Sequence, residues 1–319
     1  MPSTSPETVF VIHHGQQDYL RIAAEYINKS GNRSILIGNC TDAGKLSDLY
    51  FDDGQISLPE YEAFERQYVH MSSATPEFEL LCFKRYFYLY VIAKKLGLHH
   101  FWMIDSDLVL TTDLSETQKH PLLQNCIAAY STPYQDEHTK ASSPHCSYWT
   151  LEGLEQFLQF LGQLYQGNTR QLLNEKYAYH LEHKIPGGIC DMTALFLWQK
   201  GNSNILNLAS AHLNGLPLFD NNINHDGNAH PHEFEMIKRI NLKRVGGSFP
   251  RLYAVKADNK SRLPIACLHF QGKAKAYMEH FMHNEAISYR AFAGIIARLY
   301  IDRRLKSLRK KLSFRSKSA

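Results

Sequence analysis

The opening part of the chain alternates short apolar runs with a segment of helical spacing. Residues 8–12 are β-branched and aromatic, residues 19–29 place apolar side chains every three or four positions, and residues 34–38 form a second apolar run. This order predicts a strand, a helix and a strand. A β-α-β unit is typical of an α/β fold, so we expect a mixed, mainly parallel sheet flanked by helices.

A long helix is expected next, followed by a buried strand. Pro76 suits the first turn of a helix, which we expect to run to Lys95 with Gly97 at its C-terminal cap. Residues 101–104 are apolar without polar alternation and predict a strand buried on both faces. Asp105 follows at the carboxyl end of that strand, where ligands gather in open α/β sheets.

The remaining segments are assigned from the same patterns. Residues 42–76 are polar and irregular and predict a loop region with short helical pieces. Further strands are expected at residues 126–131, 252–255 and 265–270, and further helices at residues 152–164 and from Asp191 through Trp198.

The C-terminal part differs from the rest in charge. Residues 281–319 carry ten Lys/Arg against two acidic residues, while the chain as a whole has a net charge of only +4. Residues 286–312 combine helical apolar spacing with many cations, which is typical of a helix attracted to an anionic membrane surface. A helix packed on the body with a solvated basic end fits the same pattern. We therefore expect a main domain at residues 1–280 and a basic helical tail at 281–319.

Composition and targeting signals bear on location. The six cysteines are scattered without a C-x-x-C pair, which predicts reduced thiols in an intracellular protein. Residues 1–7 are polar and predict no signal peptide, and no apolar stretch of about 18 residues predicts a membrane span. We expect a cytoplasmic protein, with peripheral contact to the inner face of a membrane as a possibility. The mildly acidic body argues against nucleic acid as a partner.

Two aspartates separated by one residue suit a divalent cation. Asp105 and Asp107 offer hard oxygen ligands to Mg²⁺ or Mn²⁺, and such ions keep coordination positions free for substrate phosphates. His269, which ends a late apolar run, is a compatible third ligand. Gly272 permits a backbone bend, and Lys275 offers a charge to phosphate. Taken singly, the acidic pair also suits a solvated surface or a helix cap, and the histidine also suits a hydrogen-bonded core position.

In combination, these motifs resemble a known family. The order Lys84-Arg85-Tyr86-Phe87, then Asp105-Ser106-Asp107, then His269-Phe270-x-Gly272-x-x-Lys275 is similar to that of GT-A-fold glycosyltransferases. The resemblance is closest to glycosyltransferase family 8, the glycogenin and lipooligosaccharide galactosyltransferase group, and it covers residues 8–280.

The resemblance implies roles for particular residues. Asp105, Asp107 and His269 would hold Mn²⁺ or Mg²⁺. The nucleotide-sugar donor, a UDP-sugar by resemblance, would be bound by a larger set: His13, Asn39, Arg85, Asp105, Ser106, Gly272 and Lys275. The acceptor would be a glycan or a lipid-linked glycan, as in polysaccharide biosynthesis.

The middle of the expected site departs from the family pattern. An N-A-G-x-x-x-x-N segment is replaced by residues 187–193, where Asp191 follows two glycines. Asp191 is the candidate catalytic carboxylate, facing sugar hydroxyls or the anomeric carbon, although an acid in a first helical turn also complements the helix dipole. The family implies retention of anomeric configuration. An inverting enzyme would need a base, for which Asp191 and Asp226 are both candidates.

These observations predict a metal-dependent hexosyltransferase. Two alternatives remain open. A phosphatase of the haloacid-dehalogenase type also places D-x-D after an apolar strand, although that strand normally begins its fold. A non-catalytic protein that binds nucleotide sugars or carbohydrate would share the same residues.

Overall fold

The computed structural model of the protein describes residues 5–40 and 43–315. Its strands are β1 (Thr8–His13), β2 (Arg33–Gly38), β3 (Leu49–Asp52), β4 (His100–Ile104), β5 (Leu108–Leu110), β6 (Ala128–Ser131), β7 (Ser143–Thr150), β8 (Ile205–Asn207), β9 (Leu218–Phe219), β10 (Met236–Ile237), β11 (Leu242–Lys243), β12 (Val245–Ser248), β13 (Arg251–Val255) and β14 (Arg262–His269). Its α-helices are α1 (Asp18–Lys29), α2 (Pro59–Gln67), α3 (Pro76–Lys95), α4 (Leu114–Gln118), α5 (Pro121–Gln124), α6 (Leu151–Leu161), α7 (Gly167–Glu182), α8 (Asp191–Lys200), α9 (Met278–Asn284) and α10 (Tyr289–Arg315).

The larger sheet has seven strands in the order β3-β2-β1-β4-β7-β6-β8. Strands β1 to β4 run parallel to one another, and β8 runs parallel to β6. Only β7 is antiparallel, to both β4 and β6. The predicted mixed, mainly parallel α/β sheet is confirmed.

Helices and a second sheet cover the two faces of this sheet. Because side chains alternate along a strand, Phe10 faces the helices α3, α6 and α8, whereas Val9 and Val11 face α1 and the second sheet. The second sheet is antiparallel, in the order β12-β13-β14-β5, with β9 added alongside β14. The late strands were predicted, but their assembly into a separate sheet was not.

The long helix α3 has the ends that its sequence predicts. The Thr75 hydroxyl accepts a hydrogen bond from Phe78 N, and Pro76 occupies the first turn. Gly97, with φ at +66°, follows the cap residue Leu96 and stops the helix in the left-handed conformation. This helix carries Arg85 toward the carboxyl end of β4.

The expectation of a loop at residues 42–76 was partly wrong. The short helical pieces are present, and α2 is one of them, but Leu49–Asp52 forms a strand that pairs with β2. The strand lies at the edge of the sheet and its residues are half-buried or exposed. Its apolar residues Leu49, Tyr50 and Phe51 stand between Asp48 and Asp52 in an otherwise polar segment.

The C-terminal helix begins inside the body and then projects from it. Phe281 in α9 and Phe292 in α10 are fully buried, whereas Tyr300 and Ile301 are 55% exposed. A helix was predicted here, and its first part packs on the body, as one of the two alternatives describes. Contact with a membrane stays a prediction. The division at residues 280 and 281 stays a prediction, and Arg309, Lys310 and Lys311 lie outside the residues whose side chains are described. Among the described helices, we find none that is both long and apolar enough to span a membrane.

Candidate functional site

The Asp105-Ser106-Asp107 triplet lies where the chain passes from one sheet to the other. It connects β4 of the larger sheet to β5 of the smaller sheet as a tight turn. Asp105 N donates a hydrogen bond to His145 O at 2.8 Å, which fixes the turn to the neighbouring strand β7. The Asp107 side chain is buried, and that of Asp105 is half-buried.

The register between β5 and β14 brings His269 to the triplet. His269 pairs with Leu108, and Phe270 N donates to Asp107 O at 2.9 Å. Ligand atoms of Asp105, Asp107 and His269 consequently lie within 4.8 Å of one another. The structure thus brings together the three residues that the sequence predicted as metal ligands. Two carboxylates and one imidazole suit a cation such as Mn²⁺, whose neighbouring octahedral ligands lie about 3 Å apart.

Hydrogen bonding fixes the proton on His269. Its Nδ1 lies 2.6 Å from Asn221 O, and a carbonyl oxygen only accepts, so Nδ1 carries a hydrogen. The other nitrogen, Nε2, points to Asp107 Oδ1 at 3.5 Å. This is how metal-binding histidines are usually oriented by a partner behind the ring. Burial alone would lower the pKa of His269, but the carboxylates of Asp107 and Asp105 outweigh it and raise that pKa.

Asp107 has two positive or potentially positive neighbours. Lys275 Nζ lies 2.9 Å from its Oδ2, on the side away from His269. Burial favours the neutral carboxyl, but His269 and Lys275 hold the pKa of Asp107 well below its usual range. The carboxylate therefore stays charged at neutral pH and available to a cation.

Buried polar groups support His269 from behind. Asp220 and Lys243 form a fully buried ion pair, and Asp220 Oδ2 accepts a hydrogen bond from His269 N at 3.3 Å. The His145 ring is stacked on the His269 ring, with centroids 4.5 Å apart. Burial keeps the pKa of His145 well below its usual range, so His145 adds no positive charge. Sequence reasoning missed Lys243 and His145, whose only signal is a polar residue inside a buried strand.

Arg85 links the triplet to Asp191. Its Nη1 lies 3.2 Å from Asp105 Oδ1, while its Nη2 forms an ion pair with Asp191 Oδ2. Tyr86 OH donates to the same Asp191 oxygen at 2.9 Å. Asp191 begins α8 and is only 2% exposed. The predicted catalytic carboxylate is therefore close to the site, but it is enclosed and already bound by two donors.

The ends of β1 and β2 border the triplet on its other side. His13 Nδ1 lies 2.8 Å from Ser106 Oγ, which ties the first strand directly to the D-x-D turn. Asn39 Oδ1 accepts from Gly15 N at 2.9 Å and so shapes the loop after β1. A cavity of about 160 Å³ opens here, lined by His13, His14, Arg85 and Asp105 among others.

Gly272 and Lys275 lie in one short 3-10 helix, Gly272–Tyr277, directly after β14. Gly272 has φ at +63°, a left-handed conformation that favours glycine. This bend turns the chain so that Lys275 comes back over Asp107. The predicted site residues thus share one edge of the molecule, where β1, β4 and β14 end.

A larger cavity of about 490 Å³ adjoins the metal-ligand cluster through His269. It lies between the loop after β6 and the loop after β9, and its lining includes Tyr134, Asp136 and Asp226. Asp226 Oδ2 accepts from His232 Nδ1 at 2.7 Å. Of the two candidate bases, Asp226 lines this cavity and Asp191 does not.

Comparison with known proteins gives the following findings. No protein-family model matches the chain, and no curated protein matches it. Among solved structures, mouse xyloside xylosyltransferase 1 is 12% identical over 63% of this chain and 84% of its own, with a TM-score of 0.40. The galactosyltransferase LgtC, solved with donor and acceptor sugar analogues, is 10% identical over 90% of this chain and 99% of its own, with a TM-score of 0.41. The bifunctional glycosyltransferase WbbM is 12% identical over 93% of this chain and 50% of its own, with a TM-score of 0.43.

Proposed function

We propose that the protein is a metal-dependent glycosyltransferase that moves a hexose from a nucleoside-diphosphate sugar to a glycan or lipid-linked acceptor. The observation that carries the proposal is the meeting of Asp105, Asp107 and His269, with Lys275 beside them. The two carboxylates and the imidazole suit a metal ion, and the neighbouring lysine suits the diphosphate that the ion would bind. The resemblance in sequence motifs suggests a UDP-sugar as the donor.

The chemistry would be electrostatic. A bound Mn²⁺ or Mg²⁺ would act as a Lewis acid on the diphosphate oxygens. Lys275 now neutralises Asp107, and it would turn to the diphosphate when a cation takes over that carboxylate. Negative charge grows on the leaving diphosphate as the bond to the sugar breaks, and a fixed ammonium group next to it stabilises that charge. Gly272 leaves room for the backbone of this turn to approach the phosphate oxygens.

We propose that Asp191 acts mainly through Arg85. Its carboxylate is enclosed and bound by Arg85 and Tyr86, so it holds the guanidinium in a fixed orientation. Arg85 would then brace the donor next to Asp105. On this view Asp191 is a positioning residue, and the retention that the motifs imply needs no attack by this carboxylate.

The nucleoside would occupy the cavity at the ends of β1 and β2. His13 and Ser106 are joined by a hydrogen bond at its edge, and Asn39 shapes the adjoining loop. A donor placed here would direct its diphosphate toward Asp105 and Asp107 and its sugar toward the larger cavity. We keep the cytoplasmic location as part of the proposal, with α10 as the segment that contacts an anionic membrane.

The test is turnover of a panel of UDP-, GDP- and CMP-sugars with and without MnCl₂, measured as nucleotide release. We expect release from one UDP-sugar, abolished by EDTA and restored by Mn²⁺. Release of inorganic phosphate from simple phosphate esters would instead favour the phosphatase alternative. Metal-dependent binding of nucleotide sugars without turnover, with or without sugar acceptors, would favour the alternative of a non-catalytic protein that binds nucleotide sugars or carbohydrate. The anomeric configuration of the product, read by NMR, separates retention from inversion.

A further inference from the structure

The 490 Å³ cavity beside His269 has acidic side chains in its lining. Two carboxylates, Asp136 and Asp226, and three histidines, His225, His232 and His269, belong to it, while neither lysine nor arginine occurs among the described residues that line it. Hydrogen bonds from Thr139 hold the pKa of Asp136 below its usual value, and the hydrogen bond from His232 does the same for Asp226. Both carboxylates are therefore charged at neutral pH.

The cavity also presents an exposed aromatic ring on a fixed backbone. Tyr134 is 59% exposed, although its backbone N donates to Asn228 O at 2.9 Å. The next residue, Gln135, binds both the N and the O of Ala141 through its side-chain amide, which closes the loop on itself. An aromatic ring exposed on a loop whose backbone is fixed by hydrogen bonds offers a pre-organised contact face to a ligand.

The remaining polar lining suits hydroxyl groups. Asn221 and Gln271 supply carboxamides, and Thr139 and Ser143 supply hydroxyls. These groups both donate and accept hydrogen bonds, as sugar hydroxyls do. An aromatic face beside such groups is suited to a sugar ring, which has apolar C–H faces and a polar rim.

From these contacts we infer that the cavity is the acceptor site and that it takes an uncharged saccharide, with Tyr134 packed on the sugar ring and Asp226 accepting from a sugar hydroxyl. The inference rests on the proposed function, because it places the acceptor opposite the donor across His269. Acceptors with a carboxylate or phosphate near the reacting hydroxyl are repelled by Asp136 and Asp226, and the described lining has neither lysine nor arginine to offset them. Of its histidines, His232 faces Asp226 and His269 faces Asp107. The site thus discriminates against acidic sugars by charge.

The experiment compares matched acceptors on the full-length protein with Mn²⁺ and the UDP-sugar that it turns over. The neutral probes are methyl glycosides of glucose, galactose and mannose, and the anionic probes are the corresponding methyl uronides. We expect kcat/KM for the best neutral probe to exceed that of its uronide about tenfold or more at low salt, and salt to reduce the difference. Equal or better use of the uronides would overturn the inference.

Variants connect the preference to the lining. The double variant Asp136→Asn/Asp226→Asn should reduce the preference for neutral sugars severalfold. Glu137→Gln is the matched control, because the neighbouring Glu137 side chain is 85% exposed and lies outside the cavity lining. A preference that is unchanged in the double variant, or reduced equally by the control, would contradict a role for these carboxylates.

The aromatic ring has its own variants. Tyr134→Ala should raise the acceptor KM about threefold to tenfold, and Tyr134→Phe should restore it. Donor KM and acceptor-free hydrolysis of the UDP-sugar should be unchanged in both variants. Leu181→Ala, an exposed apolar residue of α7 outside the cavity, serves as the control. An unchanged acceptor KM in Tyr134→Ala would remove the ring from the site.

Failure of the inference and failure of the proposed function give different results. If no nucleotide sugar is hydrolysed, the proposed function fails, and saturation-transfer NMR with the same methyl glycosides still shows whether Tyr134 and the cavity bind neutral sugars. If the donor is hydrolysed but neutral saccharides neither bind nor accelerate nucleotide release, the proposed function stands and this acceptor assignment is wrong.

Discussion

Asp107 and His269 are distant in sequence, yet His269 Nε2 lies 3.5 Å from Asp107 Oδ1. The pairing of β5 with β14 sets this distance, because it aligns His269 with Leu108, the residue after Asp107. The arrangement of the proposed ion ligands is thus set by a strand register. A one-residue slip would turn His269 to the other face of its sheet and remove the cluster.

The first prediction concerns Asp107, the second carboxylate of the Asp105-Ser106-Asp107 triplet. Asp107→Ala should lower metal-dependent turnover about 10²-fold or more, because the variant loses a ligand and the partner of Lys275. Circular dichroism and thermal melting should show that the fold persists. Asp258→Ala removes an exposed aspartate from the turn after β13 and should leave turnover unchanged. Full activity in Asp107→Ala would exclude the triplet from the reaction.

The second prediction separates Arg85 from Asp191. Arg85→Lys keeps the charge but loses the planar fork that reaches both Asp105 and Asp191, so kcat should fall about 10²-fold. Asp191→Asn should cause a smaller fall in kcat, since Tyr86 and Arg85 would remain next to the new carboxamide. The combined variant should be no worse than Arg85→Lys alone if Asp191 acts through Arg85. Additive losses would instead indicate that Asp191 contacts the substrate itself.

The third prediction concerns pH. The pKa of His269 is raised in the folded protein, so its protonated form stabilises the metal-free protein below the unfolded pKa, and this contribution is lost as pH rises through the folded pKa. The pKa of Asp107 is lowered, so its contribution is present above its unfolded pKa and is lost as pH falls through the folded one.

A metal ion competes with the proton on His269. Mn²⁺ affinity should rise with pH, about tenfold per unit, until His269 is deprotonated. Thermal shift with and without MnCl₂ from pH 5.5 to 8.5 measures this. We expect the Mn²⁺-induced increase in Tm to grow toward high pH and to lose most of that dependence in His269→Asn. A flat profile in the unaltered protein would argue against His269 as a ligand.

The fourth prediction tests the support behind His269. Lys243→Met leaves the Asp220 carboxylate buried without its cation, which should destabilise the fold by about 3–5 kcal/mol. Asp220→Asn combined with Lys243→Met should recover part of that loss, because the unpaired charge is gone. Thermal melting compares both with Lys238→Met, which changes an exposed lysine. If Lys243→Met were as stable as the control Lys238→Met, the ion pair of Asp220 and Lys243 would contribute little to stability.

The fifth prediction concerns the projecting end of α10. Ile301 and Leu305 are exposed and lie one helical turn apart, among Arg303, Arg304 and Lys306. The full chain should float with liposomes that contain phosphatidylserine, and a chain truncated after Asp302 should not. Neutral liposomes are the control for charge. Equal flotation of the truncated chain would place membrane contact elsewhere, and no flotation of the full chain would exclude it.

Most local features follow from sequence pattern. The β1-α1-β2 opening, the ends of α3 and the apolar strand before Asp105 were all predictable, since periodicity, capping residues and Gly97 act over a few residues. The edge strand β3 was missed, because its three apolar residues stand between aspartates in an otherwise polar segment. The antiparallel second sheet was also missed, as strand pairing between distant segments leaves no local mark.

The sequence by itself determined which residue types could bind a cation and a diphosphate. Asp105, Asp107, His269 and Lys275 occur in recognisable order and spacing, and each has a chemistry that follows from its side chain. Only the tertiary structure decided that they meet, that Asn221 O orients the His269 ring, and that Arg85 holds Asp191 away from solvent. The reason is physical: side-chain chemistry belongs to single residues, whereas distance, burial and pKa depend on how remote strands pack.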